Sequence, residues 1–253
     1  MIAPWRISIA VGAALLCACG TAGVQSSSPS KTELRVFAAA SLTQSFQRLG
    51  SAFAAANPQY SPRFIFGGSA TLAQQIIDGA PADVFASADN TNMQKVVSNG
   101  LVSGTAATFA SNVLEIAVAK GNPKHIRGLS ELARKDIVTV LCAVQVPCGK
   151  YAQQSLAHAH VTVHPSSLET DVKSVLRKVS LGEADAGIVY VTDVRAAGSS
   201  VTGVSIAAAD NVIAKYPIAE LKSGHTTAAA AFIRFVLGQE GQSILEADGF
   251  GKP

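Results

Sequence analysis

Basic residues are sparse in this sequence and nowhere grouped. Lys and Arg number 20 against 17 Asp and Glu in 253 residues, and aromatic side chains make up only 6%. No run of Lys or Arg alternates with aromatic residues, whereas a nucleic-acid surface needs concentrated basic charge to neutralise phosphates. Nucleic acid is therefore excluded as a partner. No period of solenoid spacing recurs, and no long low-complexity linker divides the folded part. No apolar run reaches the roughly 20 residues that a membrane-spanning helix needs.

The longest apolar run lies at the start, in "MIAPWRISIAVGAALLCACG". One early arginine, an apolar stretch of about a dozen residues and then small residues make the layout of an export signal. Its end, Leu16-Cys17-Ala18-Cys19-Gly20, resembles the bacterial lipobox, in which the cysteine is lipidated and becomes the new N-terminus. Residues 1–18 are thus expected to be a lipoprotein signal peptide. Cys19 would be the lipid anchor, holding the protein at the outer face of the cell membrane. A plain secretory signal, with Cys17 and Cys19 both discarded, is the alternative. Residues 19–32 are rich in Ser, Gly and Thr with no apolar period, and read as a flexible tether.

About 220 residues remain, enough for one large domain or two small ones with real cores. Losing Arg6 leaves 19 basic residues against 17 acidic ones, a net charge of about +2. Cys142 and Cys148 stay in the folded part. Outside the cytoplasm two nearby cysteines pair more often than not, so a disulfide is expected; the alternative is two small buried apolar residues that never meet.

Strand and helix signals alternate through the chain. "LRVFAAA" precedes a helical spacing at Leu42, Phe46, Leu49 and Phe53. "RFIFGG" precedes "ATLAQQIIDG", and "ADVFASAD" precedes a helix closed by Asn99-Gly100. A second series runs through "NVLEIAVAKG", the short helix "IRGLSELARKD", the buried strand "IVTVLCA", a helix from "CGKYAQQSLAHAH", a helix with Val172, Val175, Leu176 and Val179, and the strand "DAGIVYVTD". The strand-like "AKYPIAELKSG" then leads to two helices separated around Gly238. The expectation is an α/β fold of two lobes, each a mostly parallel sheet flanked by helices. Two strands, near residues 117–120 and 214–216, would join them. Lobe I would hold residues 33–117 with 216–253, and lobe II residues 118–215.

Two of the strand-to-helix turns end in small residues and a serine, at Ser41 and Ser69. A helix N-terminus exposes unpaired N–H groups and partial positive charge, which makes such a turn an anion site. A serine there caps its own helix or donates hydroxyl and N–H to a ligand. Ligands of open α/β sheets bind at the carboxyl ends of the strands. In the second series, Pro147 opens a helix whose first N–H belongs to Cys148. Val172 sits in a first turn, and Tyr190 at a strand end. Taken singly, Val172 and Tyr190 also read as core residues.

The stretches "AAASL", "GGSATLAQQI", "GAPADVFASAD", "VPCGKYA" and "GEADAGIVYVTD", with the closing "GF", resemble in order and spacing the molybdate-binding proteins of ABC importers. These are members of the type II periplasmic-binding-protein fold. The resemblance runs from about residue 34 to 250. It implies that Ser41 and Ser69 grip a molybdate oxyanion, or tungstate of nearly the same size, from one lobe. From the other it implies the N–H groups of Cys148 and Val172 and the Tyr190 hydroxyl. It implies a monomer without a cofactor that passes its ion to an importer permease. Alanine is the commoner residue at the position of Cys148, so the bridge to Cys142 would stiffen the loop that presents that N–H. Another tetrahedral oxyanion such as sulfate is the alternative ligand.

Two other classes fit the sequence less well. "GGSAT" is close to a nucleophile elbow, but Thr71 replaces its last glycine, so no enzyme is expected. His158 and His160 form an H-x-H, a spacing that splits them across a helix and suits metal poorly.

Overall fold

The computed structural model describes residues 31–222 and 224–253, together with Met1. The expected signal peptide, Cys19 and nearly all of the tether lie outside the described residues.

From residue 31 the chain forms three strand-helix units: β1 (Thr32–Ala39) and α1 (Thr43–Ala56), β2 (Tyr60–Gly67) and α2 (Ser69–Ile77), and β3 (Val84–Ala86) and α3 (Asn90–Ser98). β1 pairs in parallel with β2 on one side and β3 on the other. Alternation along β1 sends Leu34, Val36 and Ala38 to one face and Phe37 to the opposite one. Both faces are covered by helices, as a parallel sheet requires. On the first face Phe46 and Phe53 of α1 meet Phe232 with ring centroids 6.0 and 5.3 Å apart, near perpendicular. Each such phenyl removed from water stabilises the fold by about 1.5–3 kcal/mol. β2 is the sheet edge, which tolerates Pro62. Asn99-Gly100 ends α3, with Gly100 at φ 69°, a conformation that glycine adopts without cost.

β4 (Val102–Ala119) is 18 residues long and belongs to both halves of the molecule. Its first part runs antiparallel to β9 (Ile213–Leu221), which in turn borders β3. From Leu114 onward it pairs instead with β7 (Ala186–Tyr190) and β8 (Val201–Ser205). The change of partner falls between Val113 and Leu114, a few residues before the stretch at 117–120 read from the sequence. The side chain of Asn211 accepts from the Leu114 N–H and donates to its carbonyl. It thereby carries the ladder one step beyond the pair formed by Val113 and Ile213, ahead of the start of β9.

The second half adds β5 (Thr139–Cys142), α4 (Pro147–His158), β6 (Ser167–Glu169), α5 (Val172–Ser180) and α6 (Val191–Ala197). β5 pairs in parallel with β6 and β7, giving the strand order β2-β1-β3-β9-β4-β7-β5-β6. The stretch expected as a short helix, "IRGLSELARKD", is a 3-10 turn at Leu129–Ala133. After β9 the chain returns to the first half as α7 (Thr226–Leu237) and α8 (Gln239–Ala247), divided at Gly238. Each half is thus an α/β layer of mixed sheet with its parallel strands in β1–β3 and β5–β7.

Candidate functional site

The carboxyl ends of β1, β2, β5 and β7 converge on one cleft, and four helices of two turns or more begin there: α1, α2, α4 and α5. Its lining includes Ala39 to Ser41, Gly67 to Ser69 and Ala88 from the first lobe. Val146 to Cys148, Asp171, Val172 and Tyr190 come from the second. All five residues named from the sequence resemblance therefore line the same space. Ser41, Ser69, Cys148, Val172 and Tyr190 are all at most 6% exposed. The free space in the cleft is small, about 10 Å³ for the centre of a water-sized sphere, room for one small group rather than for a drug-sized organic ligand.

Each donor is set by its local sequence. Ser69 is the first residue of α2, so its N–H has no partner within the helix. Its Oγ accepts the Ala88 N–H at 3.0 Å, which leaves the hydroxyl proton to point elsewhere. Ser41 lies in a 3-10 turn, Ala40–Leu42, that leads into α1. Its Oγ is 3.0 Å from the Tyr216 Oη; with Tyr216 donating, the Ser41 proton is free as well. Pro147 occupies the first position of α4 and has no N–H, so Cys148 presents the first one. Asp171 caps α5, its carboxylate accepting from the Ser174 N–H at 2.9 Å and the Ser174 hydroxyl at 3.1 Å. That bond leaves the Val172 N–H unpaired in the first turn.

Tyr190 ends β7 and is 1% exposed, and its hydroxyl has no hydrogen-bond partner. Burial pushes its pKa well above the ordinary value, as it does for Tyr216. Both phenols therefore stay protonated donors. Asp171 is the only charged residue of the lining. Two buried carboxylates flank the cleft, each met by a lysine: Asp193 lies 2.8 Å from Lys173, and Asp89 lies 3.6 Å from Lys150.

Cys142 and Cys148 are joined by a disulfide that ties the end of β5 to the start of α4. Gly149 follows, and a Cβ there would lie 2.1 Å from the Ala143 carbonyl oxygen. Across the cleft Gly68 is equally confined: a Cβ would lie 2.3 Å from the Thr170 carbonyl oxygen and 2.9 Å from the Val146 Cγ1. The two lobes thus meet backbone to backbone beside the site. The hydrogen bond at the Oγ of Ser69, the candidate nucleophile of the elbow reading, comes from the Ala88 N–H, which is no general base able to accept the serine proton. Tyr216, Ala88, Asp171 and Gly68 were not singled out from the sequence; Tyr216 sits in a segment that reads only as a strand.

Two α/β lobes, joined by β4 and by residues 206–212 between β8 and β9 rather than by a strand at 214–216, and meeting over a cleft rich in hydrogen-bond donors, are the layout of a type II periplasmic binding protein. Residues 34–251 match the bacterial extracellular solute-binding proteins, and the chain belongs to that family. It is 40% identical over 243 residues to the molybdate-binding protein ModA of Mycobacterium tuberculosis, covering 94% of this chain and 93% of the relative. The periplasmic molybdate-binding protein of Azotobacter vinelandii shares the fold at a TM-score of 0.75 and 22% identity, covering 87% of this chain and 99% of that one. The sulfate-binding protein SubI of Mycobacterium tuberculosis also shares it, at a TM-score of 0.79 and 20% identity, covering 87% and 86%.

Proposed function

We propose that this chain captures molybdate in the cleft and delivers it to the permease of an ABC importer, with tungstate taken alongside. The observation that carries the reading is the Tyr190 hydroxyl, buried in the cleft wall with no protein partner. An unpaired buried hydroxyl costs about 1–3 kcal/mol, and a ligand that accepts its proton recovers that cost. Around it stand the free protons or N–H groups of Ser41, Ser69, Cys148 and Val172, every one a donor. Such a set suits an ion that only accepts.

Fixed dipoles in a dry cleft hold a dianion without a cationic side chain, and the lining contains neither Lys nor Arg. A protonated oxyanion such as phosphate near neutral pH would have only Asp171, already accepting twice from Ser174, to take its proton among the side chains of the lining, and should bind more weakly. The work is capture rather than chemistry: donors from both lobes meet the ion when the lobes close, and the chain is no enzyme and needs no resident cofactor. The 40% identity to a molybdate-binding relative supports molybdate over sulfate. In the cell, Cys19 would anchor the monomer to the outer face of the membrane.

The test is the melting midpoint of the domain lacking residues 1–18, with molybdate, tungstate, sulfate or phosphate, followed by titration calorimetry. At a hundred times its dissociation constant a ligand adds about 2.7 kcal/mol, roughly 5–10 °C for this size. A shift with molybdate and tungstate alone supports the reading. A shift with sulfate changes the ligand, and no shift with any oxyanion overturns the function.

A further inference from the structure

Asp89 is an unusual neighbour for an anion site. Its side chain is 1% exposed, and the preceding residue, Ala88, lines the cleft and donates its N–H to Ser69. One carboxylate oxygen, Oδ1, accepts from the Asn92 N–H at 3.0 Å and the Asn92 side-chain amide at 2.9 Å. The other, Oδ2, faces the Lys150 Nζ at 3.6 Å, and that ammonium also donates to the Thr91 Oγ1 at 2.6 Å. Asp89 and Thr91 belong to the β3–α3 corner of one lobe, whereas Lys150 stands in the first turn of α4 in the other. The charge pair therefore spans the cleft.

We propose that Lys150 neutralises Asp89 only when the lobes meet, and that this makes the closed form the one that accepts a dianion. The proposal rests on reading the cleft as an oxyanion site. With the lobes apart, Lys150 is withdrawn and an uncompensated carboxylate stands beside the donors. Like charges near a poorly solvated site repel strongly. Closure brings the ammonium to Oδ2 and removes the share of the repulsion that comes from Asp89, at the moment when the second set of donors arrives; Asp171, in the lining itself, is not met by Lys150. The field of Asp89 reaches this region: burial, and after it the Asp89 charge, pushes the Tyr151 hydroxyl up to about 12. At Tyr190 burial dominates, and Asp89 is among the charges that add to it. The difference in ion affinity between closed and open forms then exceeds what the donors alone supply, and only such a difference drives closure.

A charge effect and a simple tether between lobes make opposite predictions for Asp89. The experiment is calorimetry with molybdate on the wild type, K150M, D89N and the double variant D89N/K150M, with K150R as the charge-preserving control. Asn caps a helix as well as Asp does, and Lys150 is 35% exposed, so the variants should fold; unliganded Tm checks this. K150M is expected to bind roughly 5- to 150-fold more weakly, the usual size of such a coupling. D89N should bind at least as tightly as the wild type, the double variant should return to within about twofold of D89N, and K150R should retain most of the affinity. Unchanged binding in K150M overturns the proposal. So does a D89N variant as weak as K150M with no recovery in the double, which is the tether result. Failure of the wild type itself to bind molybdate would instead remove the functional reading beneath it.

Discussion

Replacing Gly68 with alanine tests whether the two lobes must touch for the ion to be held. The added Cβ would lie 2.3 Å from the Thr170 carbonyl oxygen and 2.9 Å from the Val146 Cγ1, both in the opposite lobe. A carbon and a carbonyl oxygen settle no closer than about 3.3 Å, so the lobes must part by roughly 1 Å at this point. A hydrogen bond tolerates only about 2.7–3.2 Å between its heavy atoms, and the donors of one lobe would fall out of reach. Hydrogen bonds to a charged group are worth about 1.5–3 kcal/mol each, so losing two weakens binding by roughly two to four orders of magnitude. Folding itself should not suffer, because Gly68 has φ −61° and ψ 132°, which alanine adopts freely. Less entropy in the unfolded chain would even add about 0.4–1 kcal/mol. Calorimetry with molybdate and a melting curve without it give both numbers. An alanine variant that binds as tightly as the wild type would refute the argument that closure brings these backbones together.

Tyr190→Phe should weaken molybdate binding by roughly 10- to 150-fold through one lost charged hydrogen bond, while the unliganded Tm holds or rises because a buried unpaired hydroxyl is gone. Ser69→Ala should differ in kind: it removes a ligand contact and also the acceptor of the Ala88 N–H, lowering unliganded stability by about 1–3 kcal/mol, read as a fall in Tm. Replacing Cys142 and Cys148 with alanine should cost about 2 kcal/mol by opening a short loop, seen in the melting curve, yet leave affinity within tenfold because the Cys148 N–H remains. If neither Tm nor affinity moves in that double variant, the bridge has no part in presenting the N–H.

Local patterns in the sequence made the strand-turn-helix corners at Ser41 and Ser69 readable, because apolar runs, small residues and helical spacing follow one another there without interruption. The stop of α3 at Asn99-Gly100 and the division of α7 from α8 at Gly238 were readable for the same reason. The first half of β4 was not: its pairing slips between Ser103 and Ala107 and again between Thr108 and Ala110, which destroys the period of two that marks a strand. The tight turn at Leu129–Ala133 carries a helical spacing too short to form an α-helix. In the cleft, the residue types came from motif resemblance, but what orients them comes from far along the chain. Tyr216 reaches Ser41 across 175 residues, and Lys150 reaches Thr91 across 59. Neither relation leaves a mark in any short window.

β4 passes from one sheet into the other, and β9, which begins at Ile213 where the second crossing of the chain ends, is hydrogen-bonded to it up to Val113. Joined in this way they behave as a leaf spring rather than as two strings. A two-stranded ribbon bends easily out of its own plane and twists, but resists shear within it, since shear would break the ladder. The lobes can therefore swing about one soft direction and return to the same register every time. A membrane partner reading the outer surface would meet a hinged jaw with a repeatable bite, because the pairing that connects the halves also limits how they can be misaligned.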